Sequence, residues 1–276
     1  MSSLRSASRA RAALAPTLRR DFGLVLWQIR YEQRAYWRNR GRGILTFIFP
    51  LMFLVIFASI YHGSHLHTRG GISYDDFFVP GILAYAVIST TYVNIAISTA
   101  ILRDEGVLKR MQGTPLPRPA YIAARIGSTV VLVFVMTVLV LVIGVVAYGI
   151  HVRTSTLPGL VVTLLLGTAA FTTLGIGIVR FIKNADTAPV VINLTVLPLT
   201  FISNVWFPTD NLPKGLNTIA KIFPIRALAD GLQYAFDPRT TGAGLKGPAL
   251  MSLAIWTVVG VVLMVRFLRQ PQGEVV

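Results

Sequence analysis

Six long apolar runs, none containing Asp, Glu, Lys, Arg or His, constrain this chain more than any motif in it. They are Ile44–Tyr61, Phe77–Leu102, Ile126–Ile150, Leu157–Val179, Thr187–Phe207 and Gly247–Val265. Crossing a hydrocarbon core of about 30 Å takes about 17–25 predominantly apolar helical residues. A helix suits that setting because it satisfies its own backbone polar groups where water cannot. The expected class is therefore an all-α integral membrane protein with six transmembrane helices. Only 13% of the 276 residues are charged, about half the share of a soluble domain. Pro50 and Pro80 are expected to kink or start the first two spans, and Pro189 and Pro198 to distort the fifth, which neighbouring helices tolerate.

Uncharged spans also narrow the function. Carriers coupled to protons or sodium keep ionisable groups inside the membrane as relays or ion ligands. Their absence from these runs argues against an ion-driven carrier and against a charged pore. The polarity inside the spans is neutral: Tyr85, Tyr92, Asn94 and Ser98 in the second, and Asn193, Ser203 and Asn204 in the fifth. Two roles stay open for these residues, hydrogen bonding between helices or lining a weakly polar path for an amphiphilic substrate. Gly167, Ala169, Ala170, Gly175 and Gly177 in the fourth span are small enough to let helices approach closely.

The basic residues orient the bundle. With the N-terminus inside, 19 of the 26 Lys and Arg fall on inner segments and 7 on outer ones, so both termini are expected in the cytoplasm. This distribution also accounts for the net charge of +15. The bases flank spans instead of covering a folded polar face, so the lipid bilayer is the expected partner and nucleic acid is not. Residues 1–20 are rich in Arg, Ser and Ala and lack acids, a transit-peptide-like composition. They read better as a disordered basic cytoplasmic tail, because they run straight into an amphipathic segment, residues 21–43. There Phe22, Val25, Leu26, Ile29, Gln33 and Tyr36 share one helical face, and Arg30, Arg34 and Arg38 form a second stripe. Such a helix lies in the headgroup plane. Residues 269–276 are read as a second cytoplasmic tail. With no cysteine, disulfides and thiolate metal sites are excluded.

Two connections carry more than a turn. Between the second and third spans, Asp104 and Glu105 precede Lys109 and Arg110, then Gly113, Pro115 and Pro117. Acids first and bases last complement a helix dipole, and Gly then Pro stop a helix, so one short helix over Asp104–Gln112 is expected. A piece that short needs something to dock against. Between the fifth and sixth spans, Pro208–Lys246 holds two apolar stripes, Leu212, Leu216, Ile219, Ala220 and Phe223, then Ala227, Leu228, Gly231, Leu232 and Ala235. Two short membrane-associated helices are expected, with Arg226 and Asp230 paired at i, i+4.

Candidate chemistry is sparse. His62, His65 and His67 lie within six residues but lack an adjacent acid, and read as a wet interfacial loop in preference to a metal site. Asp75 and Asp76 read as acids at a helix start. No G-x-x-x-x-G-K-[ST] pattern is present, so the chain is expected to bind neither ATP nor a metal, and to be no enzyme.

Together these features resemble the ABC-2 permeases, the membrane subunits of a class of ABC exporters. The resemblance rests on Glu105, Leu108, Lys109, Arg110, Thr114, Pro115, Arg118 and Tyr121, then Asn204, Phe207, Pro208, Leu212 and Pro213, then Pro224, Asp230 and Gly231. It covers nearly the whole chain after residue 20. It implies a connecting helix over residues 22–37, a coupling helix within residues 103–113 and a re-entrant outer hairpin over 208–246, all within a transmembrane domain spanning 44–268. ATP and magnesium would be bound by a separate ATPase in two copies. Asp104, Glu105, Val107, Leu108, Lys109, Arg110, Met111, Thr114 and Pro115 would meet that subunit, with Val107, Leu108 and Met111 as its apolar contacts. A second permease subunit, identical or not, would complete a path lined largely by spans two and five. The expected place is the cytoplasmic membrane. The expected activity is export of a hydrophobic or amphiphilic small molecule, such as a drug, antibiotic or lipid-like compound. Export of a polysaccharide or glycoconjugate is the alternative within the family, and a membrane-embedded lipid-modifying enzyme the alternative outside it.

Overall fold

Helices dominate the computed structural model, which describes residues 23–38, 40–66, 72–112, 118–210 and 212–269. Helix α1 (residues 23–38) precedes α2 (Arg40–Tyr61), α3 (Tyr74–Ile88), α4 (Asn94–Asp104), α5 (Val107–Gln112), α6 (Arg118–Tyr148), α7 (Leu157–Ile178), α8 (Ala188–Ile202), α9 (Lys214–Ile222), α10 (Pro224–Phe236) and α11 (Gly247–Arg269). A single departure from all-α occurs among the described residues. Strands β1 (His65–Leu66) and β2 (Ile72–Ser73) pair antiparallel, with His65 opposite Ser73.

Four helical stretches are long and apolar enough to cross a membrane: Tyr74–Asp104, Tyr121–Tyr148, Thr154–Phe181 and Gly247–Arg269. The first joins α3 to α4 through a wider π-helical turn, Ser89–Val93. Two further apolar helices are shorter, Thr46–Tyr61 and Ala188–Ile202. The expected fifth span reached Phe207, but α8 stops at Ile202. Asn204 then takes a left-handed backbone with φ of 62°, which only a residue with a short polar side chain or none adopts readily.

Helix α7 sits at the centre, and its small residues explain why. A Cβ on Gly177 would fall 2.7 Å from Leu263 Cβ of α11, and one on Gly175 would fall 2.9 Å from the Tyr92 carbonyl. Gly167 admits Leu228 of α10, and Gly260 of α11 meets Thr173 of α7. In a bilayer, helices associate by such close packing because the lipid is as apolar as leucine. The opposite surfaces are apolar and exposed, as with Phe134 and Val146 of α6, Leu194 of α8 and Met251 of α11. That inversion of the soluble pattern fits a molecule solvated by lipid.

Candidate functional site

The segment between α4 and α6 folds differently from the single helix expected over Asp104–Gln112. Helix α4 carries through Asp104, the chain turns at Glu105–Gly106 with Gly106 at φ of 69°, and only then does α5 begin at Val107. The acids are therefore at the C-terminal end of α4, not in the first turn of α5. Their dipole role is overturned because Asp104 is used elsewhere. Its Oδ1 accepts from Arg103 Nε at 2.9 Å and its Oδ2 accepts from the Ala185 amide at 2.6 Å.

Arg103 completes this clamp. Its guanidinium donates to the carbonyls of Val179 (3.0 Å), Ile182 (2.6 Å) and Lys183 (3.0 Å). The last turn of a helix leaves carbonyls without intrahelical partners, and a cation there also complements the dipole. One side chain thus ties the stem of α5 to the end of α7 and to the turn that leads into α8.

A second clamp holds the other stem. Arg125 of α6 lies 3.4 Å from Glu32 of α1 and donates from Nη2 to Ser98 Oγ of α4 at 2.8 Å. Both charged side chains are about nine-tenths buried. One turn along, Gln33 Nε2 donates to the Ser128 carbonyl at 2.7 Å and lies 3.0 Å from its Oγ. Gly127 permits this approach, since a Cβ there would sit 2.6 Å from Ile29 Cδ1. Helix α1 shows the expected division: Val25, Ile29, Gln33 and Tyr36 are partly buried and Arg30, Arg34 and Arg38 are exposed. Leu26, however, is exposed, and Phe22 lies outside the described residues.

Among the described residues expected to meet an ATPase, the exposed charges are two bases and two acids. Lys109 and Arg110 are exposed, as are Asp104 and Glu105, and Arg110 Nη2 donates to the Glu105 carbonyl at 3.1 Å. Leu108 is turned the other way. It is 4% exposed and belongs to the protein's own core, so it anchors α5 and offers no apolar contact outward. Val107 is partly buried. Met111 lies within α5; Thr114 and Pro115 lie outside the described residues.

The neutral polar residues of the spans are dispersed. Tyr85 packs into an aromatic group, tilted against Trp206 at 4.8 Å and edge-on to Phe53 at 6.4 Å. Tyr92 lies in the π-helical turn. Asn94 donates to Thr46 at 3.3 Å and Ser98 receives Arg125. Ser203 is buried, whereas Asn193 is exposed and donates to the Pro189 carbonyl at 2.8 Å. Asn204 organises the outer connection. Its Oδ1 accepts from the Thr209 amide and hydroxyl (2.9 and 2.8 Å), its Nδ2 donates to Asp230 (3.0 Å), and its carbonyl accepts from Gln233 (2.7 Å). The expected Arg226–Asp230 pair is present at 3.1 Å. Ser73 caps α3 through the Asp75 amide, with Asp75 and Asp76 in its first turn. His62 Nδ1 meets Asp75 Oδ2 at 3.0 Å, and His67 lies outside the described residues.

A comparison with known proteins places this arrangement. Residues 24–236 match the family described as ABC-2 type transporter. The chain belongs to that family. Similar proteins include the inner membrane transport permease YadH of Escherichia coli K12, 26% identical over 185 residues, which is 67% of this chain and 71% of the relative. Its counterparts in Escherichia coli O157:H7 and Shigella flexneri match to the same extent. The matched stretch of this ABC-2 protein takes in both clamps and ends at Phe236, the last residue of α10. Arg103, Glu32 and Arg125 were not singled out from the sequence. Glu32 left a trace, as an acid on the buried side of an otherwise basic helix, in register with Gln28, Ile29 and Tyr36.

Proposed function

We propose that this protein is the permease subunit of an exporter driven by ATP hydrolysis in a separate ABC ATPase. The observation that carries this is the double fastening of α5. One stem is tied by Arg103 to the α7–α8 turn, and the other by Arg125 to α1 and α4. A push on α5 therefore reaches α1, α4, α6, α7 and α8 through charge-assisted hydrogen bonds, which are the strong ones. Two such subunits with two ATPases enclose the substrate path, and ATP binding shifts the equilibrium between inward- and outward-open states. Lys109 and Arg110 meet acidic groups on the ATPase, while Leu108 seats the helix that carries them.

Six spans are read in the cytoplasmic membrane, with α2 and α8 crossing beside the four longer stretches and both termini in the cytoplasm. Helices α9 and α10 form a re-entrant outer hairpin. Its tip is fastened at depth, since Trp256 Nε1 donates to the Ile222 carbonyl at 2.8 Å and Phe223 stacks on Trp256 at 6.2 Å. Trp256 lies nine residues into α11, roughly 14 Å at 1.5 Å per residue. The cargo is a hydrophobic or amphiphilic small molecule, because the charges of the crossing stretches stand near their ends and their middles provide only neutral polarity.

The test is the tagged permease co-expressed with its ATPase. Replacing Lys109 and Arg110 with Glu together is expected to lower co-purified ATPase about tenfold, a loss of about 1.4 kcal/mol, with insertion unchanged. Full retention of the ATPase by the double variant contradicts the docking role.

A further inference from the structure

At the end of the bundle opposite α5, α3, α8, α10 and α11 converge on a cavity of about 290 Å³. Its level follows from its walls. Asp76 lies in the first turn of α3, Lys246 directly precedes α11, and Asn204 follows the end of α8. Two of the four long apolar stretches begin there, so the cavity lies at headgroup depth. On the orientation proposed above, that is the outer leaflet.

The charges lining it fall into two groups of opposite excess. In one, Arg226 and Lys246 share a single carboxylate, Asp230 Oδ2, at 3.1 and 3.7 Å. The longer contact is beyond hydrogen-bond range, so the Lys246 ammonium has donors to spare. Arg226 directs Nε to Asp230 and Nη1 to Thr209, which leaves Nη2 without a partner among the described residues. In the other group, Asp237 is engaged by Arg239 at 2.9 Å. Asp76, half-buried, makes no hydrogen bond or ion pair with the described residues, and its charged neighbours are Asp75, Asp237 and His151. Among the lining residues the first group carries one positive charge in excess and the second one negative; Arg153, which also acts on Asp237, stands outside the lining. Phe77 and Ile72 supply the apolar wall between solvent and span.

We infer that this cavity binds a zwitterionic phosphoammonium group, with its phosphate at Lys246 and Arg226 and its ammonium at Asp76. Neither a simple anion nor a simple cation satisfies both excesses. A zwitterion satisfies each without adding net charge to a site already balanced. The same chemistry occurs on a phosphatidylethanolamine headgroup and on soluble phosphoethanolamine. Headgroup depth and the apolar wall favour the lipid.

Native mass spectrometry of the full-length protein in detergent reads this without transport or ATPase, so its outcome is separate from that of the permease reading. Phosphatidylethanolamine is expected to bind roughly tenfold more tightly than phosphatidylglycerol, which has the phosphate without the ammonium. Asp76→Asn should erase that preference, and Lys246→Gln should weaken both lipids. Competition by millimolar soluble phosphoethanolamine would show that the head alone is recognised, and its failure would show that the acyl chains are required. Equal binding of the two lipids to the unaltered protein, which needs no variant to fold, overturns the inference. So does a preference that survives Asp76→Asn. The sidedness is checked separately. The chain has no cysteine, so Thr241→Cys in the exposed loop beside the cavity gives a unique thiol. Labelling of intact cells by an impermeant maleimide places the site outside, and its failure alone would reverse the orientation without touching the lipid result.

Discussion

The two polar ends of the bundle hold themselves together in opposite ways. At the α5 end, charged side chains reach across elements to backbone: Arg103 caps three carbonyls beyond α7, and Asp104 receives an amide of the next turn. Lys109 and Arg110 stay exposed. At the opposite end, charges pair chiefly with one another around a cavity, and Asn204 rather than a charge fastens the chain. The first end links helices and leaves Lys109 and Arg110 exposed, where the proposed partner would meet them. The second closes on itself and leaves a balanced pocket. A device that receives force needs the first arrangement, and a gate that opens repeatedly is better served by the second.

Variants at each end can break this contrast. The largest effect is expected from Arg125→Leu, which strands Glu32 at about one-tenth exposure. Leaving one buried charge unpaired costs about 3–5 kcal/mol, seen as a fall in thermal stability in detergent. Adding Glu32→Gln should recover much of the stability without restoring ATP-driven transport, because the charged link from α1 through α6 to α4 remains cut, leaving the neutral Gln33–Ser128 contact between α1 and α6. Recovery of transport as well would reduce this clamp to packing.

A smaller loss is expected from Asn204→Ala. It removes three side-chain hydrogen bonds and places a Cβ-only residue at positive φ. About 2–3 kcal/mol is expected from the orphaned Asp230 and Thr209 groups. ATPase co-purification should be unchanged if, as proposed, the motor docks at α5 and not at this end. Loss of the ATPase would show that the two ends are not separable.

The smallest effect concerns pH. The Arg239 guanidinium beside Asp237 holds its carboxyl below the usual 3.8. A depressed carboxyl stabilises the fold above its ordinary value, and the contribution disappears as pH falls through the lowered one. Hydrogen exchange in the loop after α10 should therefore rise only in strong acid. Arg239→Gln should bring that rise to higher pH, toward 3.8.

Much of the bundle was legible in the sequence, because charge-free runs of span length have few alternatives in a bilayer. The small residues of α7 and the Arg226–Asp230 pair were equally plain, being set by local spacing. What escaped depended on partners distant in sequence. The order of charges around Asp104 suggested a helix start, yet Ala185, 81 residues away, claimed that carboxylate, and Gly106 broke the helix after it. Leu108 looked like a docking residue because an apolar side chain in a charged island suggests exposure, whereas a six-residue helix needs an anchor of its own. Asn204 sat within an apolar run, and periodicity could not show that its left-handed turn ends α8 early. Glu32 and Arg125 are far apart in sequence, so nothing local announced their pairing.

The central claim is that α5 and the α7–α8 turn move as one body when the motor binds ATP. Because the chain lacks cysteine, spin labels can be placed uniquely at Gln112→Cys, the last residue of α5 and outside the proposed docking contacts, and at Asp186→Cys, with the distance between them read by pulsed electron resonance in the assembled transporter. The account predicts one unchanged distance with and without ATP, and a broadened, ATP-sensitive one once Arg103→Ala is added. A distance that shifts with ATP in the protein retaining Arg103 would contradict it.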